Sequence, residues 1–112
     1  MGDVVFEDWE RQRVDHAVGV VSTVSREGQP HAAPVIVWFE GDDLRFETEP
    51  QDRKYKNLIA NPRVAVLAYG SPKWGVLVRG RAEVLAPAPP GGGNAQIIVH
   101  PTSKSSWRRK EG

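Results

Sequence analysis

The densest run of cations in the sequence is Arg53-Lys54-Tyr55-Lys56. The apolar residues Tyr55, Leu58 and Ile59 fall at i, i+3 and i+4, so the run sits at the start of a helix capped by Asp52 and ended by Asn61-Pro62. A helix start exposes unpaired N–H groups and partial positive charge, and both favour an anion. With Thr48 just upstream as a hydroxyl donor, these residues suit a phosphate group. On spacing alone a solvated helix face is the plainer reading, because Lys and Arg are mostly exposed. Acids, however, are the ordinary occupants of a first helical turn, and cations there run against that preference.

Other candidates carry less. Arg79 and Arg81 flank Gly80 on one face of a strand and read as an ordinary polar outer face with a cross-strand partner such as Glu47, or as part of an interface. Gly91-Gly92-Gly93 has neither the Gly-Lys-Ser/Thr nor the strand-to-helix setting of a phosphate loop. His16, His31 and His100 are scattered without metal-ligand spacing. Ser22, Thr23 and Ser25 have no nucleophile-elbow context. Trp9, Trp38 and Trp74 are expected to pack on the core. Trp107, among Ser and Arg, belongs either to a disordered tail or to a segment that docks across a partner subunit.

The elements that position these residues follow from periodicity. Residues 4–15 have roughly helical spacing, with Asp3 as a candidate cap. Gly19 to Val24, His31 to Phe39 and Leu44 to Thr48 read as three strands joined by the turns at 26–29 and 40–43. After the central helix, Val64 to Tyr69 is apolar on both faces. Trp74 to Leu85 alternates, with Val76, Val78, Gly80, Ala82 and Val84 on one side. Residues 86–95, rich in Pro and Gly, read as a flexible linker. A short strand, Gln96 to His100, precedes a basic tail over 101–112. The pattern of two helical segments (the first within 1–17) and six strands predicts one domain over 1–112: mainly β, a small, mostly antiparallel barrel.

Composition narrows the chemistry. With 15 basic and 14 acidic residues the formal charge is +1, which gives no global argument for nucleic acid or an anionic membrane. The absence of cysteine excludes disulfides, thiolate nucleophiles, cysteine–zinc sites and iron–sulfur clusters. No apolar run is long enough for a transmembrane helix and no signal-peptide core follows Met1, so a cytoplasmic location is expected. A barrel of 112 residues has little interior for a ligand, so a large one binds on its surface or between two copies.

The strings Val20-Val21-Ser22-Thr23-Val24, Glu27-Gly28-Gln29-Pro30-His31 and Pro34-Val35 are followed by Leu44 to Thr48, Arg53-Lys54, Asn57-Leu58, Asn61-Pro62-Arg63-Val64 and Val78-Arg79-Gly80-Arg81-Ala82-Glu83-Val84. This ordered set, over about residues 18–85, resembles the pyridoxamine 5′-phosphate oxidase-like proteins. The resemblance implies a six-stranded split β-barrel of the FMN-binding type, a homodimer, and a cofactor, FMN or the deazaflavin F420, at the subunit interface; a few relatives bind haem. It implies that Thr48, Arg53 and Lys54 hold the cofactor phosphate, with Lys56 and Asn57 beside it, and that the backbone of Pro34, Val35 and Ile36 faces the ring edge. True pyridoxamine phosphate oxidases carry an arginine where Ala33 stands, a glutamine where Gly75 stands and a small hydroxyl residue where Asp52 stands, and have a C-terminal substrate-binding region that this sequence lacks. Vitamin B6 oxidation is therefore not expected, and the Pro34-Val35 and Arg53-Lys54-x-Lys56-Asn57-Leu58 forms look closer to the deazaflavin-dependent branch.

The expectation is an oxidoreductase that moves hydride between the cofactor and a small-molecule substrate. In such a protein the cofactor brings the reactivity and the chain brings binding and orientation, so no catalytic side chain is assigned. The alternatives are a non-enzymatic FMN or F420 carrier or sensor and, less favoured, a barrel that binds single-stranded nucleic acid through its basic residues and Trp107. No metal site is expected.

Overall fold

Alternation along the strands decides which side chains enter the core. The computed structural model describes residues 4–109. Helix α1 (Asp8–Val14) leads into β1 (Ala17–Val24), β2 (Pro30–Glu40) and β3 (Asp43–Thr48). Helix α2 (Arg53–Ala60) precedes β4 (Arg63–Gly70), β5 (Trp74–Ala86) and β6 (Ala95–Arg108). The six strands form a closed barrel in the order β1-β2-β3-β6-β5-β4, antiparallel throughout, with β4 pairing back onto β1. The mainly-β, six-stranded expectation holds.

Leu44, Phe46 and Thr48 all point inward, as their spacing predicts. With Val21, Val37, Val66, Val76, Val78, Ile97 and Val99 they fill the barrel. Gly80 is required by close approach: a Cβ there would sit 2.3 Å from the His100 carbonyl oxygen, next to a register shift in the β5–β6 pairing.

The largest departure from expectation is the C-terminal segment. The last strand runs from Ala95 to Arg108, so residues 101–108 are strand and not tail, and the short strand over 96–100 is only its first part. Pairing with β5, from Trp74 opposite Arg108 to Gly80 opposite Pro101, and contacts with α1 explain why. Fully buried Glu10 pairs with Lys104, Arg108 stacks 4.7 Å from the Trp9 ring centroid, and Trp107 lies over Gly75, where a Cβ would touch its ring. Residues 110–112 of the expected tail, like the candidate cap Asp3, lie outside the described residues. Glu7 caps α1 instead, in a capping box with Glu10. The predicted linker is a loop over 87–94, in which Gly91, Gly92 and Gly93 all have positive φ.

Two local expectations are also corrected. Ile59 is exposed, and α2 turns Lys54, Asn57 and Leu58 inward. Glu47 does not face Arg79 or Arg81, because β3 pairs with β6; it accepts hydrogen bonds from Gln96 and Asn94. Both corrections concern which surface a residue meets, and that depends on strand order.

Candidate functional site

Where β3 ends, the chain crosses from the barrel to α2, and this crossing places the predicted phosphate donors. Thr48, the last residue of β3, is 2% exposed, and its hydroxyl donates to Asp52 Oδ2 at 3.3 Å and to the Glu49 carbonyl oxygen at the same distance. Asp52 is the N-cap residue of α2 but makes no side-chain capping bond. Its carboxylate instead accepts from Lys54 Nζ at 2.8 Å. The Lys54 hydrogen bond, reinforced by the ammonium charge and the Asp52 contacts with Glu49 and Thr48, holds the Asp52 carboxyl below its ordinary range despite partial burial.

Across from this triad runs β2. Pro34, Val35 and Ile36 form one wall of a groove of about 350 Å³ that Trp38, Glu47, Thr48, Glu49, Asp52, Lys54 and Asn94 complete. Five predicted residues, Pro34, Val35, Ile36, Thr48 and Lys54, therefore share one groove. The other three do not line it. Arg53 opens into an adjacent depression with Ser25, Gln29 and His31. Asn57 is buried and donates to Thr23 Oγ1 at 3.0 Å, which ties α2 to β1. Lys56 is exposed and lines neither cavity. The split has a helical cause: the axis turns 100° per residue, so Arg53 and Asn57, one turn apart, share a face and line the same depression, while Lys54 and Lys56 point away from it.

The groove matches an anionic oxygen in donor chemistry. Thr48 and Lys54 already converge on one carboxylate oxygen, so a hydroxyl and an ammonium are oriented together before any ligand arrives. A cofactor phosphate fits these donors on condition that it displaces Asp52 from them.

Sequence reasoning passed over Trp38 and Asn94 as groove residues. Trp38 is half-buried and its ring lies 5.9 Å from the Arg45 guanidinium carbon. Alternation along β2 puts Trp38 on the same side as Pro34 and Ile36, a signal available in the sequence. Asn94 precedes β6 and enters the groove only because β6 pairs with β3.

The barrel's outer surface beside the groove is apolar. Val18 and Ile36, exposed at 59% and 50%, face each other across β1 and β2, and Tyr69 follows on β4 at 55%. Among the described residues no helix is long and apolar enough to cross a membrane, and no cluster of three or more His, Cys, Asp or Glu could hold a metal.

Comparison with known proteins agrees with this architecture. An F420 reductase structure superposes with a TM-score of 0.77 at 27% identity, over 90% of this chain and 98% of that one. HupZ from Group A Streptococcus gives 0.82 at 15% identity, over 96% and 100% of the two chains. General Stress Protein 26 from Bacillus anthracis gives 0.71 at 22%, over 88% and 91%. The last two likenesses speak for the fold alone. No curated protein sequence matches significantly. Residues 7–104 match the family described as pyridoxamine 5′-phosphate oxidase. With its closed six-stranded barrel and most of its length within that match, the chain belongs to the pyridoxamine 5′-phosphate oxidase-like split-barrel family.

Proposed function

We propose that the chain is an oxidoreductase that binds F420 or FMN in the β2–β3–α2 groove of a homodimer. The observation that carries this reading is the convergence of Thr48 and Lys54 on one anionic oxygen, opposite the Pro34–Ile36 backbone, in a chain of this family. The similarity to an F420 reductase favours the deazaflavin. When bound, such a cofactor supplies hydride transfer from its central ring. The chain's own residues bind and orient. Lys54 and Thr48 hold the phosphate, the β2 backbone meets the ring edge, and Trp38 gives the groove an aromatic wall. Arg53, in the adjacent depression, adds longer-range positive charge to the phosphate end. Lys56 and Asn57 have no direct part in this arrangement.

The second copy is argued from exposed surface. Ile36 belongs both to the groove wall and to the apolar face with Val18 and Tyr69. A partner seated on that face covers the groove and excludes water from the ring. With Ala33 and Gly75 in place of the arginine and glutamine of true pyridoxamine phosphate oxidases, the substrate is a small organic acceptor other than a B6 vitamer. The non-enzymatic carrier or sensor is the second reading: the groove's carboxylates, Glu47, Glu49 and Asp52, are already engaged by Gln96 and Asn94, by Gln51, and by Lys54 and Thr48. A nucleic-acid role is disfavoured because the cations divide among separate depressions and do not line one groove. In a family whose reactivity comes from a cofactor, a cytoplasmic location fits the cysteine-free sequence.

Native mass spectrometry and absorption spectra of the full chain with each cofactor test the proposal. Two cofactors per dimer are expected, with affinity at least tenfold weaker in a Thr48→Val/Lys54→Gln variant. Equal affinity in that variant refutes the phosphate assignment. Oxidation of reduced cofactor by an organic acceptor separates enzyme from carrier.

A further inference from the structure

A second site lies on another part of the barrel wall. Arg63 on β4 stands directly opposite Arg81 on β5, and Arg79 projects from the same face of β5, opposite Ala65. All three are exposed, and among the described residues no carboxylate comes within 4.0 Å of any of them. Like charges directly opposite on a sheet oppose pairing. Arg11, Arg13, Arg45 and Arg108, by contrast, each have a carboxylate or aromatic partner. The three guanidiniums line a cavity of about 470 Å³. Its remaining lining is of two kinds: hydroxyls from Ser22 and Thr102, and an aliphatic floor from Val24, Pro30 and Ala65. Among the described residues the only side-chain bond from this trio is a long one, Arg79 Nη1 to Ser105 Oγ at 3.4 Å.

We propose that this cavity binds an organic anion, a carboxylate or a phosphate monoester. Its charged end is held by Arg63, Arg79 and Arg81, and its hydrocarbon part rests on the aliphatic floor. Guanidiniums suit this task because each offers a planar fork of donors to two oxygens at once, and because they lose less hydration than an ammonium when covered. Their clustering on adjacent strands is unfavourable in the free protein and becomes favourable when one anion bridges them. The proposal does not depend on the flavin reading, since none of the three arginines lines the β2–β3–α2 groove.

The test titrates the full-length protein with phenyl phosphate, benzoate and inorganic phosphate at ionic strength held constant with KCl. Binding is followed by calorimetry and by the arginine Nε–H resonances. Saturable binding at millimolar concentration or below is expected for at least one organic anion, and tighter binding than inorganic phosphate. The preferred organic anion reports whether the site takes carboxylate or phosphate. Arg63→Gln/Arg79→Gln should weaken it at least tenfold, and Arg81→Lys, which keeps the charge but loses the fork, several-fold. Lys54→Gln should leave it unchanged while weakening FMN, so failure of one site is distinguishable from failure of the other. A response to ionic strength alone, or unchanged affinity in both arginine variants, overturns the proposal. So does a change confined to the dimerisation constant, which would assign the arginines to a partner subunit's carboxylates. Equal affinity for inorganic and phenyl phosphate removes the aliphatic floor from it.

Discussion

In the proposed cofactor site Asp52 occupies the donors assigned to the phosphate, so Asp52→Asn should tighten FMN binding. Its Oδ2 takes the Lys54 ammonium at 2.8 Å and the Thr48 hydroxyl at 3.3 Å. A phosphate oxygen replacing it leaves the displaced carboxylate about 5 Å from the phosphate, roughly one side-chain reach. The Asp52 side chain is 34% exposed, which calls for an effective dielectric of about 40 to 80. Each pair of unit charges then costs about 0.8 to 1.7 kcal/mol. For a phosphate monoester of charge about −1.5 to −2 the sum is roughly 1.5 to 3 kcal/mol, or about 10- to 100-fold in affinity. Asparagine keeps the shape and the N-cap preference, and Asp52 makes no capping bond to lose. The assay is flavin fluorescence titration of wild type and variant with FMN and with riboflavin, which lacks the phosphate. FMN affinity should rise by that factor while riboflavin affinity stays within about twofold, the spread of a surface substitution. Unchanged or weaker FMN binding in the variant, or an equal gain for riboflavin, refutes the idea that Asp52 competes with phosphate.

Three further predictions concern the scaffold that holds the site. Glu10 is fully buried; burial alone would raise its pKa, but hydrogen bonds from Lys104, Ser106 and the Glu7 backbone outweigh it and hold the carboxyl below its ordinary value. Glu10→Ala should therefore cost about 3 kcal/mol in urea denaturation by leaving Lys104 without its partner, and the wild-type advantage should fade as pH drops through the lowered carboxyl pKa. His100 donates to Glu83 at 2.8 Å and contacts Asp43 at 3.2 Å, chiefly the Glu83 bond raising its pKa above 6.5. Its stabilising effect is full below pH 6.5 and lost as pH rises through the folded-state value, so the pH dependence of thermal stability near neutrality should flatten in His100→Gln. Gly80→Ala should destabilise by about 2 kcal/mol or more, measured by denaturation, because the new Cβ would collide with the His100 carbonyl; a loss under about 0.5 kcal/mol would mean that the β5–β6 bulge yields easily.

Much of the barrel was legible because alternation and turn chemistry are local. Leu44-Arg45-Phe46-Glu47-Thr48 states its own inner and outer faces, and the turns around Gly28 and Gly41, both at positive φ, mark the hairpins. The candidate site was legible in part. Thr48 and Lys54 meet as their types suggest, whereas Arg53, Lys56 and Asn57 are carried to other surfaces by the turn of α2. The C-terminal segment was not legible, because Pro101 to Arg108 carries little apolar alternation of its own. Its order comes from the ladder with β5 and from contacts with Glu10, Trp9 and Gly75, residues far away in sequence.

The sequence alone thus determined the strand count, the barrel class and the family. These depend on residue types at short spacing, where covalent geometry fixes the relation between neighbours. Tertiary structure alone decided that Asn94 enters the groove and that three arginines from β4 and β5 share one cavity. Those facts depend on strand order and register. Closing the barrel brings together residues that no local spacing relates, and the charge each one meets there is set by its new neighbours.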